Sequence, residues 1–153
     1  MIYDPSRNDL YTATKGRGAF LNDKRIRVSK CDKLQESLIG TGFPFRDFKH
    51  LDTYLGMFKS MLQKTSGLRR PGSAALDLAY VANGSLDGFW EIGLSPWDIA
   101  AGGLLVREAG GIISNLNGKE GWLQPGNILA ASPKIYDVMV ETLAPHLTSD
   151  IKN

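Results

Sequence analysis

The sequence has a single cysteine, Cys31, so no disulfide can close within the chain, and a reducing, cytoplasmic setting is expected. Its two histidines, His50 and His146, have no partner at metal-ligand spacing, so no histidine-built metal centre is expected. Excess charge is nearly absent. A net charge of +2 is too small to argue for nucleic acid or for an anionic membrane surface. The short basic clusters Lys24-Arg25-Ile26-Arg27 and Arg69-Arg70 do not change that, because the first alternates like a strand with one solvated face. No apolar run is long enough to span a membrane, and the opening MIYDPSRND lacks the apolar segment of a signal peptide. There is no internal repeat and no low-complexity tract. Gly16-x-Gly18 lacks the third glycine and the following helix of a dinucleotide fingerprint, and it reads as a turn or bulge.

What is present is a sizeable apolar fraction, 42% of 153 residues, enough for one packed domain or for one domain with part of another. Ile2-Tyr3, Leu10 to Thr14, Ala19 to Leu21 and Arg25 to Val28 predict a β-meander, with Asp4-Pro5-Ser6, Gly16-Arg17-Gly18 and Asn22-Asp23 as its turns. So few short strands need a further layer to cover one face, and the sheet reads as incomplete. The polar stretch from Ser29 to Glu36 marks a junction, which divides the chain into residues 1–36, the end of an N-terminal β-sheet domain, and residues 37–153, an α/β domain. In the second part Leu38 to Phe43 reads as a buried strand. Phe48, Leu51, Leu55, Phe58 and Leu62 recur at helical steps. Leu76 to Ala82 and Lys134 to Leu143 read as further helices, and Gly111 to Ser114 and Ile128 to Ala131 as strands. Alternating strands and helices predict an α/β fold: a mixed sheet flanked by helices.

The stretch from Glu91 to Gly111 organises the second part. Gly88 to Ile92 reads as a strand, Ser95 as an N-cap, Pro96 as the first helical residue and Gly110-Gly111 as the stop. Two carboxylates therefore bracket one strand-to-helix turn, Glu91 at the strand end and Asp98 in the first helical turn, where the dipole favours the ionised form. Open α/β sheets bind ligands beyond such strand ends. Ser95-x-x-Asp98 also has the spacing of a capping box, and taken alone that is the stronger reading. Gly72-Ser73-Ala74 feeds another helix start, whose N–H groups suit an oxygen-rich ligand, although on spacing alone ordinary capping by Ser73 is the stronger reading. Gly102-Gly103 in mid-helix costs about 1 kcal/mol per glycine, which predicts close packing against another backbone element.

The string Trp97-Asp98-x-Ala100-Ala101-Gly102, followed by Glu108-Ala109-Gly110-Gly111, resembles the C-terminal motif of the inositol monophosphatase family. Gly72-Ser73-Ala74-Ala75 and the meander YDPSRNDLYTATKGRGAFLN resemble that family too. The resemblance covers the whole chain but only the C-terminal part of the family pattern, somewhat over half. It implies a Mg²⁺-dependent phosphomonoesterase acting on inositol or sugar monophosphates, and a homodimer. It implies Asp98 as a metal ligand near the substrate, Glu91 as an acceptor for substrate hydroxyls, and Gly72, Ser73 and Ala74 as backbone contacts. The family's upstream metal motifs, a Glu-Glu pair and Asp-Pro-x-Asp-Gly-Thr, are not in this sequence: Asp4-Pro5 continues as Ser6-Arg7. The chain by itself is therefore expected to lack the carboxylates of a two-metal site and to be inactive. The alternative is a non-catalytic interaction module, since bacterial members of the family are linked to ribosomal RNA transcription.

Overall fold

The computed structural model describes residues 1–44 and 48–151. The first four strands, β1 (Ile2–Asp4), β2 (Asp9–Thr14), β3 (Gly18–Leu21) and β4 (Lys24–Ile26), form an antiparallel meander in sequence order. The last strand ends two residues before the pattern predicted. Val28 leaves the sheet because its N–H is taken by the carbonyl of Ala109, at the end of a helix. The turn between β2 and β3 is fixed from the same side. Glu108 accepts from the N–H of Gly16 and of Gly18, each at 2.8 Å, and these bonds hold its carboxyl below the usual range.

The second sheet has the order β6-β5-β7-β9-β8, built from β5 (Leu38–Thr41), β6 (Gly67–Arg69), β7 (Gly88–Glu91), β8 (Ile112–Ser114) and β9 (Ile128–Ala131). The first three run parallel, and β9 is antiparallel to both β7 and β8. The mixed sheet agrees with the sequence. Gly67–Arg69 is an edge strand that the sequence does not announce, since three residues with one apolar side chain offer no periodicity to read. Asp87 welds the junction to this sheet: its carboxylate accepts from Leu38 N–H at 2.6 Å and from the hydroxyl of Ser29.

Among the described residues the α-helices are α1 (Leu51–Leu62), α2 (Ala74–Ala82), α3 (Pro96–Glu108) and α4 (Pro133–Leu143). Neighbouring strand residues bury to opposite faces, as a doubly covered sheet requires. Phe89 and Ala130 pack toward α2 and α3, while Trp90 and Leu129 pack toward α1 and α4. The α2–α3 layer also receives Ile2, Tyr11 and Ala19 from the meander, so it lies between the two sheets. A helix buried from two sides needs apolar residues nearly all round, and AALDLAYVA of α2 is such a segment. These helices are thus the layer that the meander was expected to need on one face. Among the described residues no helix is long and apolar enough to cross a membrane.

Candidate active site

The end of β7, the turn after it and the start of α3 form one wall of a crevice of about 500 Å³. Glu91, Asp98, Gly72, Ser73 and Ala74 all line it. Each arrives for a local reason. β7 ends at Glu91, whose carboxylate rests on Gly42, where any side chain would run into it. Ser95 and Pro96 open α3 as the sequence predicted, and Asp98 Oδ2 accepts from Ser95 N–H at 3.1 Å. This is a capping bond, and it occupies one oxygen only. Among the described residues Asp98 Oδ1 makes no hydrogen bond, so the residue caps its helix and still offers an oxygen to the crevice. Ser73 likewise has two functions: its hydroxyl N-caps α2, accepting from Leu76 N–H at 3.5 Å, and it lines the crevice.

Other lining residues come from distant segments and had no local signal in the sequence. Phe43 stands edge-on to Tyr54 at 5.7 Å between ring centres, and the Arg70 guanidinium lies 5.3 Å from the Phe43 ring. Arg70 brings a cation to the crevice beside three carboxylates, Glu91, Asp98 and Asp150. Asp150 forms an ion pair with Lys49 at 2.8 Å, which together with their hydrogen bond holds its carboxyl below the usual range. His50, given no role by the sequence, also lines the crevice, and Trp97 stands at its mouth with 80% of its surface exposed. Asn127 closes the floor from the loop before β9.

A family model for the inositol monophosphatase family matches residues 1–149. The chain belongs to the inositol monophosphatase family. It is 50% identical over 154 residues to the Nus factor SuhB of Pseudomonas aeruginosa, a match that covers 99% of this chain and 57% of that protein. It is 52% identical to a putative Nus factor SuhB of Neisseria meningitidis serogroup B, covering 96% of this chain and 56% of the relative. Among solved structures, the inositol monophosphatase of Anabaena superposes with a TM-score of 0.89 at 40% identity, over 94% of this chain and 57% of that one. The extragenic suppressor protein SuhB of Bartonella henselae gives 0.89 at 44%, over 92% and 54%. The chain spans about half the length of the curated relatives it matches.

This inositol monophosphatase family chain shares the fold of those structures, a mixed sheet flanked by helices beside a separate antiparallel sheet. Members of the family are hydrolases. The donor set for a divalent cation can be tested on the crevice itself. Asp98 fits a single ligand position, with one oxygen that makes no hydrogen bond. Among the described residues no group of three or more His, Cys, Asp or Glu side chains converges as a metal site would need. The residues described here therefore do not make a Mg²⁺ site of their own.

Proposed function

We propose that this chain supplies the polyol side of the active site of a Mg²⁺-dependent phosphomonoesterase acting on inositol or sugar monophosphates. The observation that carries this is the convergence of Glu91, Asp98 and the Gly72–Ser73–Ala74 turn on one crevice. An ionised Glu91 accepts hydrogen bonds from vicinal hydroxyls and orients the ring. The first turn of α2 offers backbone N–H groups to substrate oxygens. Asp98 is the carboxylate that these residues contribute to the metal, with the remaining ligands coming from upstream motifs of the kind the family carries.

Phosphate release from myo-inositol 1-phosphate tests the roles. In a polypeptide that joins this chain to those motifs, Asp98→Asn should remove most turnover, because a neutral amide is a poor Mg²⁺ ligand. Glu91→Gln should act mainly on KM and on substrate preference. The 153-residue chain alone should release phosphate at no useful rate. Near-wild-type turnover for Asp98→Asn would refute the metal role.

A homodimer is proposed as well. Phe48, Leu55 and Leu62 lie exposed at seven-residue spacing along α1 and its lead-in, an apolar stripe that a second copy could bury. Sedimentation velocity over a concentration series should show a dimer, and a monomer at every concentration would contradict it. A second reading, a module acting in transcription, is favoured by the name Nus factor carried by relatives about half identical to this chain. Binding to a transcription complex that persists in Asp98→Asn would support it, and no binding by the wild type would remove it.

A further inference from the structure

The turn between β7 and α3 joins Glu91 to Asp98, and three consecutive N–H groups in it are all engaged. Ser95 donates to Asp98 Oδ2 at 3.1 Å, Leu94 to the Gly126 carbonyl at 3.0 Å, and Gly93 to Asn127 Oδ1 at 3.0 Å. Gly93 has φ +73°, the left-handed region, where a glycine is the freest hinge a chain can have. The loop from Gln124 to Asn127 docks against this hinge so closely that a side chain on Gly126 would run into the Leu94 carbonyl.

Asn127 is 4% exposed and lines the crevice. Its two ends do different work. Oδ1 accepts from Gly93, and Nδ2 donates to the Ile151 carbonyl at 3.4 Å. A carboxamide presents an acceptor and a donor on one short side chain; an aspartate keeps only the acceptor, and an alanine keeps neither. The second bond matters because Ile151 is buried and its neighbour Asp150 lines the crevice. One side chain thus ties together the turn between the two carboxylates, the loop before β9 and the segment carrying a third carboxylate.

We propose that Asn127 is a positioning residue of the crevice: through the Gly93 N–H it sets the spacing of Glu91 and Asp98, and through the Ile151 carbonyl it holds the Asp150 segment at the rim. What that spacing serves rests on the phosphatase reading above; the positioning itself rests on these contacts. Gly93 is open to solvent, so without Asn127 water takes its N–H and the hinge regains its freedom.

The test compares the 153-residue chain with its Asn127→Ala and Asn127→Asp variants. Amide hydrogen exchange at Gly93 is read alongside affinity for myo-inositol 1-phosphate in the presence of Mg²⁺. The alanine variant should speed Gly93 exchange by about five- to tenfold and weaken binding by a similar factor, as loss of one hydrogen bond would. The aspartate variant should leave Gly93 protected while freeing Ile151. Unchanged Gly93 exchange in the alanine variant overturns the proposal, and so does faster exchange with unchanged affinity. If the wild-type chain binds no inositol phosphate, the phosphatase reading fails. Positioning is then decided by the crystal structure of the alanine variant, where an unmoved Glu91–Asp98 pair overturns it and a displaced pair sustains it. If the alanine variant does not fold, loss of Gly93 protection in the aspartate variant overturns the proposal and its retention sustains it.

Discussion

Asp77 lies in the first turn of α2 with 1% of its surface exposed, and its Oδ1 has no hydrogen-bond partner. Burial pushes its pKa from 3.8 up to about 7, against the opposing pull of the Arg70 guanidinium. The folded value lies above the unfolded one, so the unfolded chain loses this proton first. Stability therefore falls as pH rises from 3.8 to about 7 and is level above that. Asp77→Asn removes the group that must stay protonated. It should stabilise the fold by about 2–4 kcal/mol at pH 8 and by far less at pH 4. Thermal unfolding at both pH values checks this, and equal gains at the two would contradict it. Asp77 carries no warning at the level of sequence, because ALDL reads as an ordinary helix turn with one polar face. Nothing in that local pattern tells that the polar side chain lies buried in the fold. Asp98 and Glu91 were legible for the opposite reason: a strand end, an N-cap and a proline fix both within one short segment.

At the scale of elements, the glycine pair in α3 shows how far local reasoning reaches. Its cost in a helix predicted close packing, and the packing is there, with α2 and α3 as neighbours inside one core. The expected partner was backbone, and what is found is side chains. A Cβ on Gly102 would lie 2.6 Å from Leu78 Cβ, and one on Gly103 would overlap the Trp122 ring. Gly102→Leu and Gly103→Leu should each overpack the site and cost roughly 1–3 kcal/mol. Chemical denaturation of the two variants checks the prediction, and two unchanged midpoints would contradict it. Among the described residues the strands and α-helices follow the sequence pattern except at the sheet margins. Edge strand β6 has too few apolar residues to show a period, and β4 stops before Val28 because the Val28 N–H turns to the Ala109 carbonyl.

For the whole molecule, one helix layer shared by two sheets explains both the stability of the meander and the shape of the crevice. α2 and α3 start side by side at the crevice, with Ser73 and Ser95 as their N-caps, and their flanks carry the packing. The crevice walls from Phe43, Arg70, Asn127 and Asp150 could not be read from the sequence. They meet through β5, β6, β9 and the segment after α4, and no spacing rule connects them. The central claim is that this crevice receives a polyol phosphate. A ¹H–¹⁵N NMR titration of the 153-residue chain with myo-inositol 1-phosphate and Mg²⁺ tests it most directly. The amides of Gly72, Ser73, Ala74, Glu91 and Gly93 should shift together on one saturating curve, while those of the meander stay still. Shifts centred elsewhere, or none up to saturating ligand, would contradict the account.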